Sequence, residues 1–192
     1  MIVHPVAAAD GAVDDAALIA ASRDDPERFA ELYERHAAQI QRYIARRLGS
    51  DVGDDLMAET FLRAFRQRDR YDSAYPDARP WLYGIATNLI SRHRRSEVRF
   101  FKAMARTGVD PAAESALEAI ADRLAAESMR RRLAAGLTRL NRGERDVLVL
   151  LAVGLSYKEV ARALNVTVGT VSSRMNRART KMRTALEEPR DE

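Results

Sequence analysis

The chain has 192 residues, enough for one medium domain or two small ones, and 46% hydrophobic with 31% charged side chains supplies a core and excludes disorder over most of its length. No apolar run approaches the roughly 20 residues of a membrane-spanning helix, and Met1–Asp14 lacks a basic stretch followed by an apolar one. No membrane contact is expected, and the expected compartment is the cytoplasm. The absence of cysteine excludes disulfides and thiolate chemistry, and His4, His36 and His93 stand at no ligand spacing, so neither metal nor cofactor is expected. The net charge of +4 is unevenly spread. Acids dominate residues 1–34, while Arg92, Arg94, Arg95, Arg99, Lys102 and Arg106 are opposed only by Glu97, and residues 160–186 hold no acid. Two basic stretches suggest two contacts with a polyanion.

In chain order, apolar residues recur at helical spacing and nowhere at the period of two that marks a strand. Residues 1–16 read as an acidic, flexible end. Asp25 is a cap with Pro26 at the first helical position, and Phe29, Leu32, Tyr33, Ile40, Tyr43, Ile44 and Leu48 follow until Gly49 stops the run. A second helix begins near Asp54, with Met57, Phe61, Ala64 and Phe65 inward and Glu59, Arg63 and Arg66 outward. Residues 70–80 form a loop, and a third helix runs from about Trp81 to Arg99. Gly108, Asp110 and Pro111 mark a break, so residues 106–118 are expected to link a domain at 17–105 to another at 119–186, with a tail at 187–192.

Periodicity resumes with Leu117, Ile120, Leu124, Leu133, Leu137 and Leu140. Asn141 and Glu144 have capping-box spacing, and Gly154 stops the helix they open. Ser156 and Glu159 repeat that spacing before a short helix from Tyr157 to Leu164, a turn at Asn165–Val166–Thr167 and a second helix from Val168. Its apolar face is Val171, Met175 and Ala178. Two short helices joined by three residues, the second polar and basic, form the helix-turn-helix that enters a major groove. Five cations on an acid-free helix would repel one another without an anionic partner. Ser172, Ser173, Asn176 and Arg177 lie where base edges can be reached, Asn and Arg offering bidentate contacts to adenine and guanine. Arg174, Arg179, Lys181 and Arg183 fit phosphates, which set register rather than sequence. The fold class expected is all-α, two small helical domains on a flexible linker.

The chain resembles the extracytoplasmic-function sigma factors, the minimal two-domain group of the bacterial sigma-70 family. The resemblance rests on Asp55-Leu56-Met57-Ala58-Glu59-Thr60-Phe61-Leu62-Arg63-Ala64-Phe65, on Pro80-Trp81-Leu82-Tyr83-Gly84-Ile85-Ala86-Thr87-Asn88-Leu89, and on Leu155–Ala161 with Val168–Arg174, in order. It implies a core RNA polymerase partner, docked through its largest-subunit coiled coil on Asp55, Glu59, Arg63 and Arg66, with a further contact to the flap region. It implies that the loop at 70–80 and the third helix read the promoter's −10 element as single strand. Tyr71, Tyr75 and Trp81 would then stack on bases, Asn88 would make a polar contact, and Arg92, Arg94 and Arg95 would follow phosphates. For Trp81 a core position is the stronger reading, and for Asn88 the two readings are even. The helix-turn-helix would read the −35 element through Thr170, Ser172, Ser173, Arg174, Asn176, Arg177, Arg179 and Lys181. Neither an acidic extension nor a sensing domain is visible, so control is expected from an anti-sigma protein.

Two other classes stay open. A helix-turn-helix regulator that binds duplex DNA without joining polymerase would share the C-terminal motif, and a phosphorylated regulator of that kind would need parallel strands before Arg106. A DNA recombinase would need a nucleophile or paired carboxylates. Asp54 and Asp55 are adjacent, face different ways and stand where a helix start favours acids.

Overall fold

The computed structural model describes residues 14–107 and 120–187, and among these there are helices and turns and no strand. The order is α1 (Asp15–Ala21), α2 (Phe29–Leu48), α3 (Ser50–Arg66), α4 (Arg79–Arg92), α5 (Arg94–Thr107), α6 (Ile120–Arg139), α7 (Arg142–Ala152), α8 (Tyr157–Leu164) and α9 (Val168–Glu187). Single 3-10 turns stand at Pro26–Arg28 and Arg68–Arg70.

Sequence and structure agree on most boundaries, and the exceptions have local causes. Asp14 caps α1 by accepting from the Ala17 N–H at 2.6 Å, and the helix buries Ala16, Leu18 and Ile19. Asp14, Ala16 and the rest of α1 are therefore structured where a flexible end to residue 16 was expected, and residues 1–13 lie outside the described residues. Asp25 caps as expected, accepting from the Glu27 N–H, but the turn it opens is 3-10 and the α-helix begins at Phe29. Gly49 takes φ +89°, a left-handed value that suits glycine, so the chain turns in one residue and α3 starts at Ser50 rather than Asp54. The third expected helix is two, because His93 leaves helical geometry between α4 and α5. Arg106 and Thr107 complete α5, and the remainder of the expected linker lies outside the described residues. The same is true of Leu117 and the side chain of Leu124.

Leu32, Ile40 and Ile44 of α2, Leu56, Phe61 and Ala64 of α3, and Leu82, Ala86, Leu89 and Ile90 of α4 form the N-terminal core. Phe29 meets Phe65 edge to face with ring centres 5.3 Å apart. Val147, Leu150, Leu155, Val160 and Val171 bind α7, α8 and α9 together. Both expected capping boxes form: Glu144 N–H donates to Asn141 Oδ1 and Asn141 N–H to Glu144 Oε2, each at 3.0 Å, and Ser156 and Glu159 pair likewise. The two units then pack on each other, α8 against α4 and α6 against α5, so that their buried side chains form one continuous cluster.

Candidate nucleic-acid interface

Three surfaces gather the residues singled out from the sequence. On α3, Asp55 and Arg66 are exposed, while Glu59 accepts from Arg63 Nε at 2.6 Å, one helical turn away. A half-exposed pair of this kind, one turn apart on a helix, contributes little, about 0.3–0.5 kcal/mol. The feature missed in the sequence is apolar: Leu62 and Tyr33 are both more than two-fifths exposed, and the Tyr33 ring meets Phe61 at 4.9 Å. Tyr33 was assigned to the apolar face of α2; it stands at that face's edge and is half in solvent. Leu62 falls outside the Met57–Phe61–Ala64–Phe65 face, which is the signal that was available.

The second surface is a cleft of about 330 Å³ lined by Gln67, Arg70, Tyr71, Asp72, Tyr75, Asp77, Trp81, Gly84, Ile85 and Asn88 from the N-terminal unit. Tyr71 is buried, donates from its hydroxyl to the Tyr75 carbonyl at 2.6 Å and packs its ring on Trp81 at 4.9 Å. Burial pushes the Tyr71 phenol up to about 12, so it stays a neutral donor. Its expected role as an open stacking face is corrected to that of a support, because its ring faces are taken. Trp81 is half-buried against the core, the stronger of its two expected readings, and it also lines the cleft. Tyr75 and Asn88 are exposed, and Arg162 and Ala163 of α8 close the far side of the cleft. The Arg162 guanidinium lies 3.9 Å over the Tyr75 ring. Nothing local in the sequence ties residue 162 to residue 75.

Arg92 and Arg95 are exposed beside the His93 break, and the side chain of Arg94 lies outside the described residues. The basic run extends further than the three residues assigned to phosphates. Arg95, Arg99, Lys102 and Arg106 are all exposed, at the spacing of one helix face, while Glu97 and Phe101 are buried on the other. The stripe spans about 16 Å at 1.5 Å per residue.

The third surface is the helix-turn-helix. Asn165 takes the left-handed conformation, φ 51° and ψ 52°, to end α8, and Thr167 Oγ1 accepts from the Thr170 N–H at 3.1 Å to start α9. Val171 and Ala178 are fully buried, which turns Ser173, Asn176, Arg177 and Arg179 outward. Ser172 and Thr170 are half-buried, and the Ser173 hydroxyl donates back to the Thr170 carbonyl at 3.0 Å. The cations do have an acid beneath them, on α7. Glu144 accepts from Lys181 Nζ at 2.7 Å and lies 3.6 Å from Arg177 Nε, and the Arg174 guanidinium lies close over Gly143. Burial pushes the Glu144 carboxyl up, but the hydrogen bonds from Lys181 and the Asn141 N–H and the nearby charges outweigh it and hold the group below the usual carboxylate range. Lys181, assigned to phosphate, is thus partly committed within the protein, and the repulsion expected on α9 is relieved from α7.

Residues 32–100 match the model of sigma-70 region 2, and residues 130–182 that of sigma-70 region 4. The RNA polymerase sigma factor NccH of Alcaligenes xylosoxydans xylosoxydans is 32% identical over 93% of this chain and 97% of its own. The ECF RNA polymerase sigma factor SigL of Mycobacterium tuberculosis is 31% identical over 82% of this chain and 88% of its own. Among solved structures, CnrH in complex with the cytosolic domain of CnrY superposes with a TM-score of 0.63 at 29% identity, covering 90% of this chain and 97% of that one. The sigma factor RpoE of Bartonella quintana, solved with the anti-sigma factor NepR, has the same fold, with a TM-score of 0.59 at 20% identity over 85% of this chain and 99% of that one.

Proposed function

The chain belongs to the sigma-70 family, in its extracytoplasmic-function group, and from that membership we infer how its surfaces divide the work of starting transcription. It is an alternative sigma factor, a DNA-binding initiation factor and not an enzyme, and it works in the cytoplasm beside core polymerase and chromosome. The outward side of α3 docks on the coiled coil of the largest polymerase subunit, with Asp55, Glu59, Arg63 and Arg66 around the apolar centre formed by Leu62 and Tyr33. The cleft takes an unstacked base of the −10 element against Tyr75 and Trp81, with Asn88 at its edge and the α5 stripe along the neighbouring phosphates. The −35 element is read by Ser172, Ser173, Asn176 and Arg177, with Arg174, Arg179 and Lys181 toward the backbone.

The observation that carries this reading is the pairing, in one chain, of a cleft of binding-site size with a helix-turn-helix whose polar face is turned outward. The complex of CnrH with the cytosolic domain of CnrY supports control by a protein partner, which the family resemblance makes an anti-sigma protein.

Transcription in vitro from a genomic library with purified core polymerase tests the assignment. The chain should direct core to a discrete set of start sites. Asn176→Ala or Arg177→Ala should lower initiation at those sites by about 10–100-fold, the loss of one bidentate base contact. No specific initiation with core and this chain alone would leave a duplex-binding regulator as the better reading.

A further inference from the structure

Much of the cleft wall, Gln67, Arg70, Tyr71, Asp72, Tyr75 and Asp77, comes from the connection between α3 and α4. Within it, residues 72–76 are exposed and form a tight turn of their own, in which the Tyr75 N–H donates to the Asp72 carbonyl at 3.1 Å and the Ala74 N–H to Asp72 Oδ1 at 3.0 Å. Those bonds shape the turn but do not fix where it sits relative to Trp81 and Asn88. Bonds from α1 and its C-terminal cap hold the connection at both ends.

At the downstream end Asp15 grips the backbone twice. Its N–H donates to the Pro76 carbonyl at 3.0 Å, and its Oδ2 accepts from the Ala78 N–H at 3.0 Å. Ala78 is the N-cap of α4 and is fully buried, so its N–H needs an acceptor inside the protein. In the capping boxes of α7 and α8 that acceptor is a glutamate three residues after the cap. Three residues after Ala78 stands Trp81, whose indole donates and does not accept. Asp15 supplies the carboxylate from 63 residues upstream, which leaves position 81 free to line the cleft. Arg35 Nη1 at 3.3 Å from Oδ1 and His36 Nε2 at 2.8 Å from Oδ2 hold that carboxylate in place.

At the upstream end Arg23, just past the cap of α1, reaches the other side of the connection. Its Nη2 donates to the carbonyls of Arg68, Asp69 and Tyr71 at 3.4–3.5 Å, and Arg68 Nε donates back to the Ser22 carbonyl at 3.1 Å. Leu18 and Ile19, both fully buried, seat the helix in the N-terminal unit. α1 stands upstream of the matched span 32–100. A binding constellation works only when its supporting residues hold it to about 0.5 Å. An exposed turn reaches that precision through its anchors.

We propose that α1 is a clasp for the cleft, in which Asp15 and Arg23 are positioning residues that fix the loop at 67–78 and thereby set which base of an opened strand the cleft accepts. Its role rests on the cleft being the site for unpaired −10 DNA.

Transcription in vitro with core polymerase is run on two pools built from a promoter the chain serves, one randomised across the −10 element and one across the −35 element, and the transcripts are sequenced. The parent is compared with Arg23→Ala, Asp15→Ala, Asp15→Asn and Tyr75→Ala at a temperature where circular dichroism shows every chain folded. At its most selective −10 position the parent should favour one base by about 10-fold or more, and Arg23→Ala and Asp15→Ala should cut this to about 3-fold or less while −35 preference stays as in the parent. Asp15→Asn loses the charge that pairs with Arg35 and His36 but keeps an oxygen for the Ala78 N–H, so it should restore most of the −10 preference that Asp15→Ala loses. Loss of −35 preference in step with −10 preference, or equal loss in the two Asp15 variants, would trace the effect to stability and overturn the clasp. Parent-like −10 preference in Arg23→Ala and Asp15→Ala, with Tyr75→Ala altered, would overturn the clasp alone. Parent-like −10 preference in Tyr75→Ala as well would overturn the cleft as the single-strand site, and the clasp with it.

Discussion

Glu144→Gln should make the protein less stable yet bind duplex DNA more tightly at low salt and less selectively. Glu144 is almost wholly buried and accepts from Lys181 Nζ at 2.7 Å and the Asn141 N–H at 3.0 Å, with Arg177 Nε at 3.6 Å. Glutamine keeps an oxygen for the Asn141 N–H, so the capping box survives and the charge alone is lost. A hydrogen bond to a charged group contributes about 1.5–3 kcal/mol; Lys181 is 40% exposed, and solvent screening brings the expected loss to about 1–2 kcal/mol. The folded Glu144 carboxyl titrates below its unfolded value. Its contribution is therefore complete above the unfolded pKa, about 4.3, and is lost as pH falls through the folded value. The variant should lack that part of the acid limb. Meanwhile Lys181 and Arg177 are released toward phosphate, adding one counterion displaced and steepening the slope of log K against log salt by about 0.9. Urea unfolding across pH, with anisotropy of promoter and scrambled duplexes across salt, measures both effects. Lost stability with an unchanged salt slope and unchanged selectivity would refute the idea that Glu144 sets how α9 presents its cations.

Two further perturbations probe the N-terminal unit. Tyr33→Ala with Leu62→Ala removes the exposed apolar pair on α2 and α3; affinity for core polymerase, measured by competition against the parent chain, should fall about 10-fold or more, while Leu62→Ala alone leaves thermal stability nearly unchanged and Tyr33→Ala lowers it by about 0.5–1.5 kcal/mol through the lost ring contact with Phe61. Asp15 accepts from His36 Nε2 at 2.8 Å and the Ala78 N–H at 3.0 Å and pairs with Arg35 at 3.3 Å; burial raises its pKa, but these bonds hold the carboxyl below its ordinary value. Its stabilisation is present above about pH 4 and fades as pH falls through the lowered value, so Asp15→Asn should cost about 2 kcal/mol at neutral pH and little in strong acid, measured by denaturation in urea at both pH values.

Legibility in the sequence followed the range of the interaction. Capping boxes at Asn141 and Ser156 and the stop at Gly154 are contacts within four residues, so the pattern that predicts them is the contact itself. The outward residues of α9 were equally readable, because Val171, Met175 and Ala178 fix which way the helix faces. Arg47, Glu97, Arg145 and Asp146 were not. On a helical wheel each is an ordinary charge, and what buries it is a partner 48 to 99 residues away. Glu144 was read correctly as a cap and missed as the acid beneath α9 for the same reason: Lys181 stands 37 residues further on. Where Arg92, Arg94 and Arg95 were expected inside one helix running to about Arg99, the break at His93 begins a new helix instead, and exposed cations continue along its outer face to Arg106.

Helix α5 shows how the two levels combine. Its inner face carries Glu97, the carboxylate that joins Arg47 of one unit to Arg145 of the other, and its outer face carries the four exposed cations. The inner face faces protein, where a charge is tolerated only when fully paired; the outer faces water, where like charges are tolerated because solvent and salt screen them. A polyanion arriving on the outer face is repelled by no acid there, since the single acid of the helix is turned inward and already neutralised by two arginines. The buried network therefore acts on the outer face as well as the seam between the units: by withdrawing Glu97 from the surface it leaves the stripe uniformly positive, as the proposed contact with phosphates requires.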